Sequence, residues 1–124
     1  MDKINLSEKV KIDFKFLTTA KKTPLKSEDK IAVYRIVQEQ LNNILKHANA
    51  KNVFIELALK IPKIHLFIED DGNGFNPKKL NKGLGLKNIH HRVEYYHGTI
   101  DIESGKNKGC KMTITLNIFS ANKK

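Results

Sequence analysis

The sequence predicts an α+β fold: a two-layer sandwich in which one mixed sheet of about five strands is covered on one face by two helices. Three observations lead there. The chain has 124 residues, the length of one domain. It is 40% hydrophobic and 29% charged, the balance of a protein with a buried core rather than a disordered one. Its apolar periodicity switches between two and 3.6 in the order strand, helix, two strands, helix, two strands. No linker or internal repeat interrupts that order, so residues 1–124 are read as a single domain, with room for it to be a piece of a longer protein.

Residues 10–17 alternate, which predicts a half-buried strand with Val10, Ile12, Phe14 and Phe16 on one face. Ser27 is the expected N-cap of a long helix, with Glu28 and Asp29 suiting its first turn. Val33, Val37, Leu41, Ile44, Leu45 and Ala48 recur at spacings of three and four and predict its apolar face. Residues 53–59 and 64–69 read as two strands joined around Pro62 as a hairpin. After a glycine-bearing loop and a polar stretch 76–82, a second helix is expected over about 86–96, with Ile89, Val93 and Tyr96 inward and Gly98 as its stop. Residues 99–103 and 111–118 close the chain as two more strands.

Composition removes several functional classes. No apolar stretch approaches the ~20 residues of a membrane helix, and no signal peptide opens the chain. A cytoplasmic setting without direct membrane contact is the expectation. Cys110 is the single cysteine, which excludes an internal disulfide or a multi-cysteine zinc site and suits a small buried residue in a late strand. Twenty-three Lys+Arg against thirteen Asp+Glu give a net charge of +10, favouring anionic partners. The lysines are scattered and lack an arginine block or interleaved aromatics, so nucleic acid is not expected as the partner.

Three segments carry more than structure needs. On the long helix Glu39, Asn43, Lys46 and His47 fall at i, i+4, i+7 and i+8, one stripe set apart from a face centred on Val37 and Leu41. A solvated face is the plainer reading of that stripe alone. Its chemistry also suits phosphate: asparagine is a neutral oxygen ligand for a hard cation, a glutamate one turn earlier can orient a water or act as a base, and a lysine one turn later reaches an anion. Asp70-Asp71-Gly72-Asn73-Gly74-Phe75 puts an acid at a strand end before two glycines, able to accept from an exocyclic amine beside a flat ligand. A tight acidic turn would look similar; a calcium loop lacks its later oxygen ligands. Gly83-Leu84-Gly85-Leu86-Lys87-Asn88 opens the second helix, where free N–H groups favour anions. Lys78, Lys79, Lys82 and Lys87 flank it.

The three motifs in this order resemble the ATP-binding domain shared by gyrases, heat-shock chaperones, histidine kinases and mismatch-repair proteins, the Bergerat ATP-binding fold. The nearest likeness is to the catalytic domain of two-component sensor histidine kinases, in the nitrate-sensor and lipid-fluidity-sensor branch. Tyr34–Ala48 is similar to that branch's asparagine box, Asp70–Phe75 to its first glycine box, and Gly83–Leu86 with Ile89, Arg92 and Val93 to its second. The resemblance covers about Asp29–Ile118 and implies ATP and Mg2+ as ligands. It implies Asn43 as the magnesium ligand, Glu39 near the γ-phosphate, and Lys46 and His47 at the phosphates. It implies Asp70 on the adenine amine with Gly72 and Gly74 shaping that pocket, and Lys82, Gly83, Leu84, Gly85 and Leu86 on the phosphate side of a short lid formed by 76–82.

The implied partners are a histidine-bearing dimerisation domain of a homodimeric parent, which itself can be anchored in the inner membrane, and a response regulator. Two departures stand out. Cys110 follows Gly109 where the family often has threonine, and no helical hairpin with its own phosphoacceptor histidine accompanies the motifs, His47 belonging to the asparagine box. A stand-alone serine kinase of the anti-sigma type, on the same fold, is the alternative, and a basic nucleic-acid-binding module is the rival of a different class.

Overall fold

The computed structural model describes residues 10–18, 25–60, 62–73, 86–105 and 108–118, without the side chains of His47 and Ala48. Among the described residues five strands and two α-helices follow in the expected order: β1 (Lys11–Thr18), α1 (Ser27–Asn43), β2 (Asn52–Lys60), β3 (Lys63–Asp70), α2 (Leu86–Tyr95), β4 (Thr99–Ser104) and β5 (Cys110–Asn117). The strands form one sheet in the order β1-β2-β3-β5-β4. β1 and β2 are parallel, joined through α1; the remaining pairs are antiparallel, so the sheet is mixed.

The sheet is two-faced because its central strands alternate. Ile64, Leu66, Ile68 and Asp70 of β3 are buried, as are Cys110, Met112, Ile114 and Leu116 of β5. That face meets Val33 and Ile36 of α1, Ile44 just after it, Leu86, Ile89 and Val93 of α2, and Tyr96 just after that, in one hydrophobic core. Gly98 lets the second helix sit this close. A Cβ there would lie 1.9 Å from the Thr115 carbonyl oxygen.

Four local expectations need correction. Strand β1 forms as predicted, but it is exposed along its whole length, with Ile12, Phe14 and Phe16 at 42, 60 and 47%. β1 is an edge strand, and apart from neighbouring Val10 the core draws its sheet residues from β2, β3 and β5. The cap of α1 is Lys26, not Ser27: the Lys26 N–H donates to Asp29 Oδ2 at 3.2 Å, so the acid three residues in supplies the capping acceptor. The buried residues of α1 are Asp29, Ala32, Val33, Ile36 and Gln40, a line that Ile44 continues just beyond the helix, with Val37, Leu41 and Leu45 only half-buried. A glutamine in the inward register displaced the sequence-read face toward its apolar neighbours. Finally, the left-handed residue ending α2 is His97 (φ 53°), one before Gly98. His97 N–H donates to Glu94 O and Gly98 N–H to Val93 O, both at 2.9 Å, closing a Schellman motif.

The two helices are tied where α1 starts and α2 ends. Tyr96 O–H donates to Asp29 Oδ1 at 2.9 Å, and Asp29 is 1% exposed. Burial and the adjacent acid push the Tyr96 phenol above its ordinary range. Tyr96→Phe should cost about 1–3 kcal/mol, because it leaves a buried carboxyl oxygen without its donor; urea unfolding measures it. A loss indistinguishable from zero would mean that water reaches Asp29.

Candidate functional site

Helix α1 passes its last regular residue at Asn43 and continues as a π-helical turn, Ile44–Ala48, ended by Asn49 in the left-handed region (φ 53°). Such widened turns are uncommon and cluster at functional sites. Of the predicted stripe, Glu39 and Asn43 are half-buried and Lys46 is exposed; Lys46 and His47 lie on the π turn. The stripe borders the buried line rather than lying far from it. At 100° per residue Asn43 is about 60° from Gln40, and its Nδ2 donates to Gln40 Oε1 at 3.2 Å.

From Gln40 the contacts run into the sheet. Gln40 Nε2 donates to Cys110 Sγ at 3.9 Å. Cys110 opens β5 and is paired across the sheet with Asp70 on one side and Ser104 on the other. Burial first, then the nearby Asp70, pushes the thiol up to about 12, against a hydrogen bond from Ser104. Cys110 is therefore a neutral, buried packing residue, as its place in the sequence suggested. Asn43 and Asp70, twenty-seven residues apart in the chain, are thus brought to one corner through two intermediate side chains.

Asp70 is the last residue of β3 and is 5% exposed. Its Oδ1 accepts from Gly72 N–H at 2.8 Å. Among the described residues no donor reaches its Oδ2. Burial raises its pKa from the ordinary 3.8; Asp71 and Glu69 add to that, and the Gly72 N–H opposes it. A buried carboxyl with one oxygen unengaged is costly unless a ligand completes it, and an exocyclic amine has the right donor.

Asp71 does the opposite job. Its Oδ1 accepts from the N–H groups of Lys51 and Asn52 and its Oδ2 from Asn52 Nδ2, all at 2.8 Å. Those donors hold its pKa below the usual range, the Asn52 bonds most. It clamps the Asp70 turn to the start of β2 and leaves Asp70 as the acid available to a ligand. The sequence alone offered two adjacent acids.

Gly109 entered the sequence reading only as the residue before Cys110. It is left-handed (φ 73°), and a Cβ on it would lie 2.2 Å from the Asp70 carbonyl oxygen. Gly109→Ala should therefore lower stability by about 1–3 kcal/mol and weaken ADP binding with it, since Asp70 must shift. Gly105→Ala, whose Cβ would meet the Lys108 side chain at ordinary contact distance, Cδ nearest at 3.5 Å, is the matched control. Calorimetry on both variants checks this, and equal ADP affinity in the two would break the link from Gly109 to Asp70.

The donor set at Asn43 also fits a cation. With Nδ2 engaged by Gln40, its Oδ1 makes no hydrogen bond among the described residues, leaving one neutral oxygen. One protein oxygen suits Mg2+, which keeps waters and takes phosphate oxygens for the rest. Among the described residues no cluster of three His, Cys, Asp or Glu side chains forms a metal site of its own. Gly72 is buried beside Asp70, and Leu86 opens α2 with its side chain in the core. Gly74, Lys82, Gly83, Leu84 and Gly85 lie outside the described residues. A cleft of about 460 Å³ between the helices, lined by Glu28, Ile31, Asn88, Arg92, Tyr95 and Tyr96, is a separate feature. Glu28 is fifteen residues from Asn43 along α1, about 22 Å.

Residues 28–119 match the family described as Histidine kinase-, DNA gyrase B-, and HSP90-like ATPase. The chain is 35% identical over 94 residues to the signal transduction histidine-protein kinase/phosphatase UhpB of Salmonella typhimurium, covering 76% of this chain and 18% of that protein. It is 37% identical over 94 residues to the sensor histidine kinase ComP of Bacillus subtilis, covering 73% and 12%. It thus spans less than a fifth of the length of either relative. Its fold is similar to that of the Acinetobacter baumannii histidine kinase AdeS (TM-score 0.69, 22% identity, 92% of this chain and 58% of that one). It is also similar to the histidine kinase domain of an Erythrobacter litoralis blue-light activated histidine kinase (TM-score 0.67, 19% identity, 89% and 53%). With the motifs in the expected order, this fold around them and that match over most of its length, the chain belongs to the histidine kinase-, DNA gyrase B- and HSP90-like ATPase family, as an ATP-binding domain of the sensor histidine kinase type.

Proposed function

We propose that this chain is the catalytic domain of a protein histidine kinase. It moves the γ-phosphoryl group of ATP to a histidine on a separate helical dimerisation domain of its homodimeric parent, and the group then passes to an aspartate of a response regulator. The bond from the γ-phosphorus to the bridging oxygen breaks, a phosphorus–nitrogen bond forms, and ADP leaves. The single observation that carries this reading is the corner where a buried acid, Asp70, is linked through Cys110 and Gln40 to the Asn43 amide, each with one oxygen that is unengaged among the described residues.

Asp70 holds the adenine amine, with Gly72 and Gly74 shaping the flat pocket. Asn43 holds Mg2+, which when bound neutralises phosphate charge. Glu39, one turn before Asn43, positions the attacking group. Lys46 and His47 on the π turn contact phosphate, and Lys82, Gly83, Leu84, Gly85 and Leu86 belong to the phosphate side of the lid. Catalysis in this scheme is mostly positioning and charge neutralisation, which is what phosphoryl transfer asks of a protein. The domain works in the cytoplasm, where ATP is at hand; no helix among its described residues is long and apolar enough to cross a membrane. The curated relatives are named histidine kinases, which favours this reading over a serine kinase of the anti-sigma type.

Calorimetry tests it directly. The chain should bind ADP without metal and ATP more tightly with Mg2+, and incubation with labelled ATP should leave no label on its own histidines. Absence of nucleotide binding would end the proposal, and stable phosphohistidine on the isolated chain would end its division of labour between domains.

A further inference from the structure

Between Ile36 and Ile44 the buried line of α1 carries Gln40, which is 1% exposed; the other buried polar residue of this helix, Asp29, is bonded by Lys26 N–H and Tyr96 O–H. A methionine or leucine there would avoid the desolvation cost of an amide. What the amide does is visible at its two ends. Oε1 accepts from Asn43 Nδ2 at 3.2 Å, and Nε2 donates to Cys110 Sγ at 3.9 Å. The first contact occupies the amino end of Asn43 and so leaves its carbonyl oxygen as the end available to a ligand. That choice decides the chemistry, because an amide NH2 cannot ligate a cation. The second contact anchors Gln40 on β5, at the residue paired with Asp70.

We infer that Gln40 is a positioning residue for a divalent cation at Asn43, holding the Asn43 amide oxygen-outward from an anchor on the adenine-side strand. The inference rests on the reading of Asn43 as the metal ligand given above. Residues that orient a metal ligand from behind typically alter metal affinity by about 10–100-fold when removed.

The test uses the full chain and two calorimetric titrations: ATP with Mg2+, and ADP in EDTA. Gln40→Met keeps the side chain's length and removes both polar ends. It should reduce the gain in ATP affinity from Mg2+ by about 10–100-fold and leave ADP binding in EDTA unchanged. Gln40→Glu, whose carboxyl can still accept from Asn43 Nδ2, should restore most of the Mg2+ gain. An undiminished Mg2+ gain in Gln40→Met overturns the inference. So does an equal loss of metal-free ADP binding, a failure of Gln40→Met to fold, or no recovery in a folded Gln40→Glu, since each assigns Gln40 to the core instead. Asn43→Ala is run beside them. If it loses the Mg2+ gain while Gln40→Met keeps it, only the positioning role falls; if it keeps the gain, the metal-ligand reading falls as well.

Discussion

Asn43→Ala is expected to abolish the Mg2+-dependent part of ATP binding and to cut phosphotransfer to a supplied dimerisation domain by at least about 100-fold, more than loss of a residue behind a metal ligand. Asn43 is half-buried at the end of the regular helix, and its oxygen is the protein's donor in the proposed scheme. Sequence reading placed the residue on a stripe far from the core, which would make the substitution neutral for folding. The structure changes that expectation. Truncation strands Gln40 Oε1, a buried acceptor, at a cost of about 1–3 kcal/mol. Calorimetry with and without EDTA, beside urea unfolding, separates the two effects. Full phosphotransfer by a folded Asn43→Ala protein would remove Asn43 from the metal site.

Asp70→Asn should weaken ATP and ADP alike by about 10–150-fold, the loss of one charge-assisted hydrogen bond in a buried site. GTP should not follow, because an amide at this position donates where the carboxyl accepts, and guanine presents an oxygen where adenine presents its amine. Equal weakening of GTP would refute the amine contact.

The same substitution reports on stability. Burial raises the Asp70 pKa in the folded state above the ordinary 3.8. The folded protein therefore binds the extra proton between the two values, and Asp70 costs stability as pH rises from about 3.8 through the folded value. Asn carries no such charge. The stability of Asp70→Asn relative to the parent should rise across that window and level off above it, in melting scans without nucleotide. A relative stability that falls with pH would reverse the assigned cause.

Much of the candidate site was legible in the chain because the chemistry proposed for it is carried by residue types that are hard to explain otherwise. An asparagine one turn after a glutamate, and an acid before two spaced glycines, point to the roles proposed for them through side-chain chemistry that does not depend on neighbours. Gln40 was the illegible one. It sits at the i, i+4, i+8 spacing with Ile36 and Ile44, yet a polar residue in an apolar register reads as a break in the face. Its burial depends on where the sheet lies. Gly109 was equally silent, because its constraint is the Asp70 carbonyl lying against it, about forty residues away in sequence.

Local periodicity and short-range spacing determined the element order, the α+β class and the identity of the chemical groups, since hydrogen-bonding pattern and amphipathic period are properties of contiguous residues. Long-range packing decided the rest. It left β1 at the edge of the sheet, engaged Asp71 in the clamp while one oxygen of Asp70 stays unengaged among the described residues, and linked Asn43 to that acid through Gln40 and Cys110. Burial and register across a sheet are relations between distant segments, and the chain carries no local mark of them.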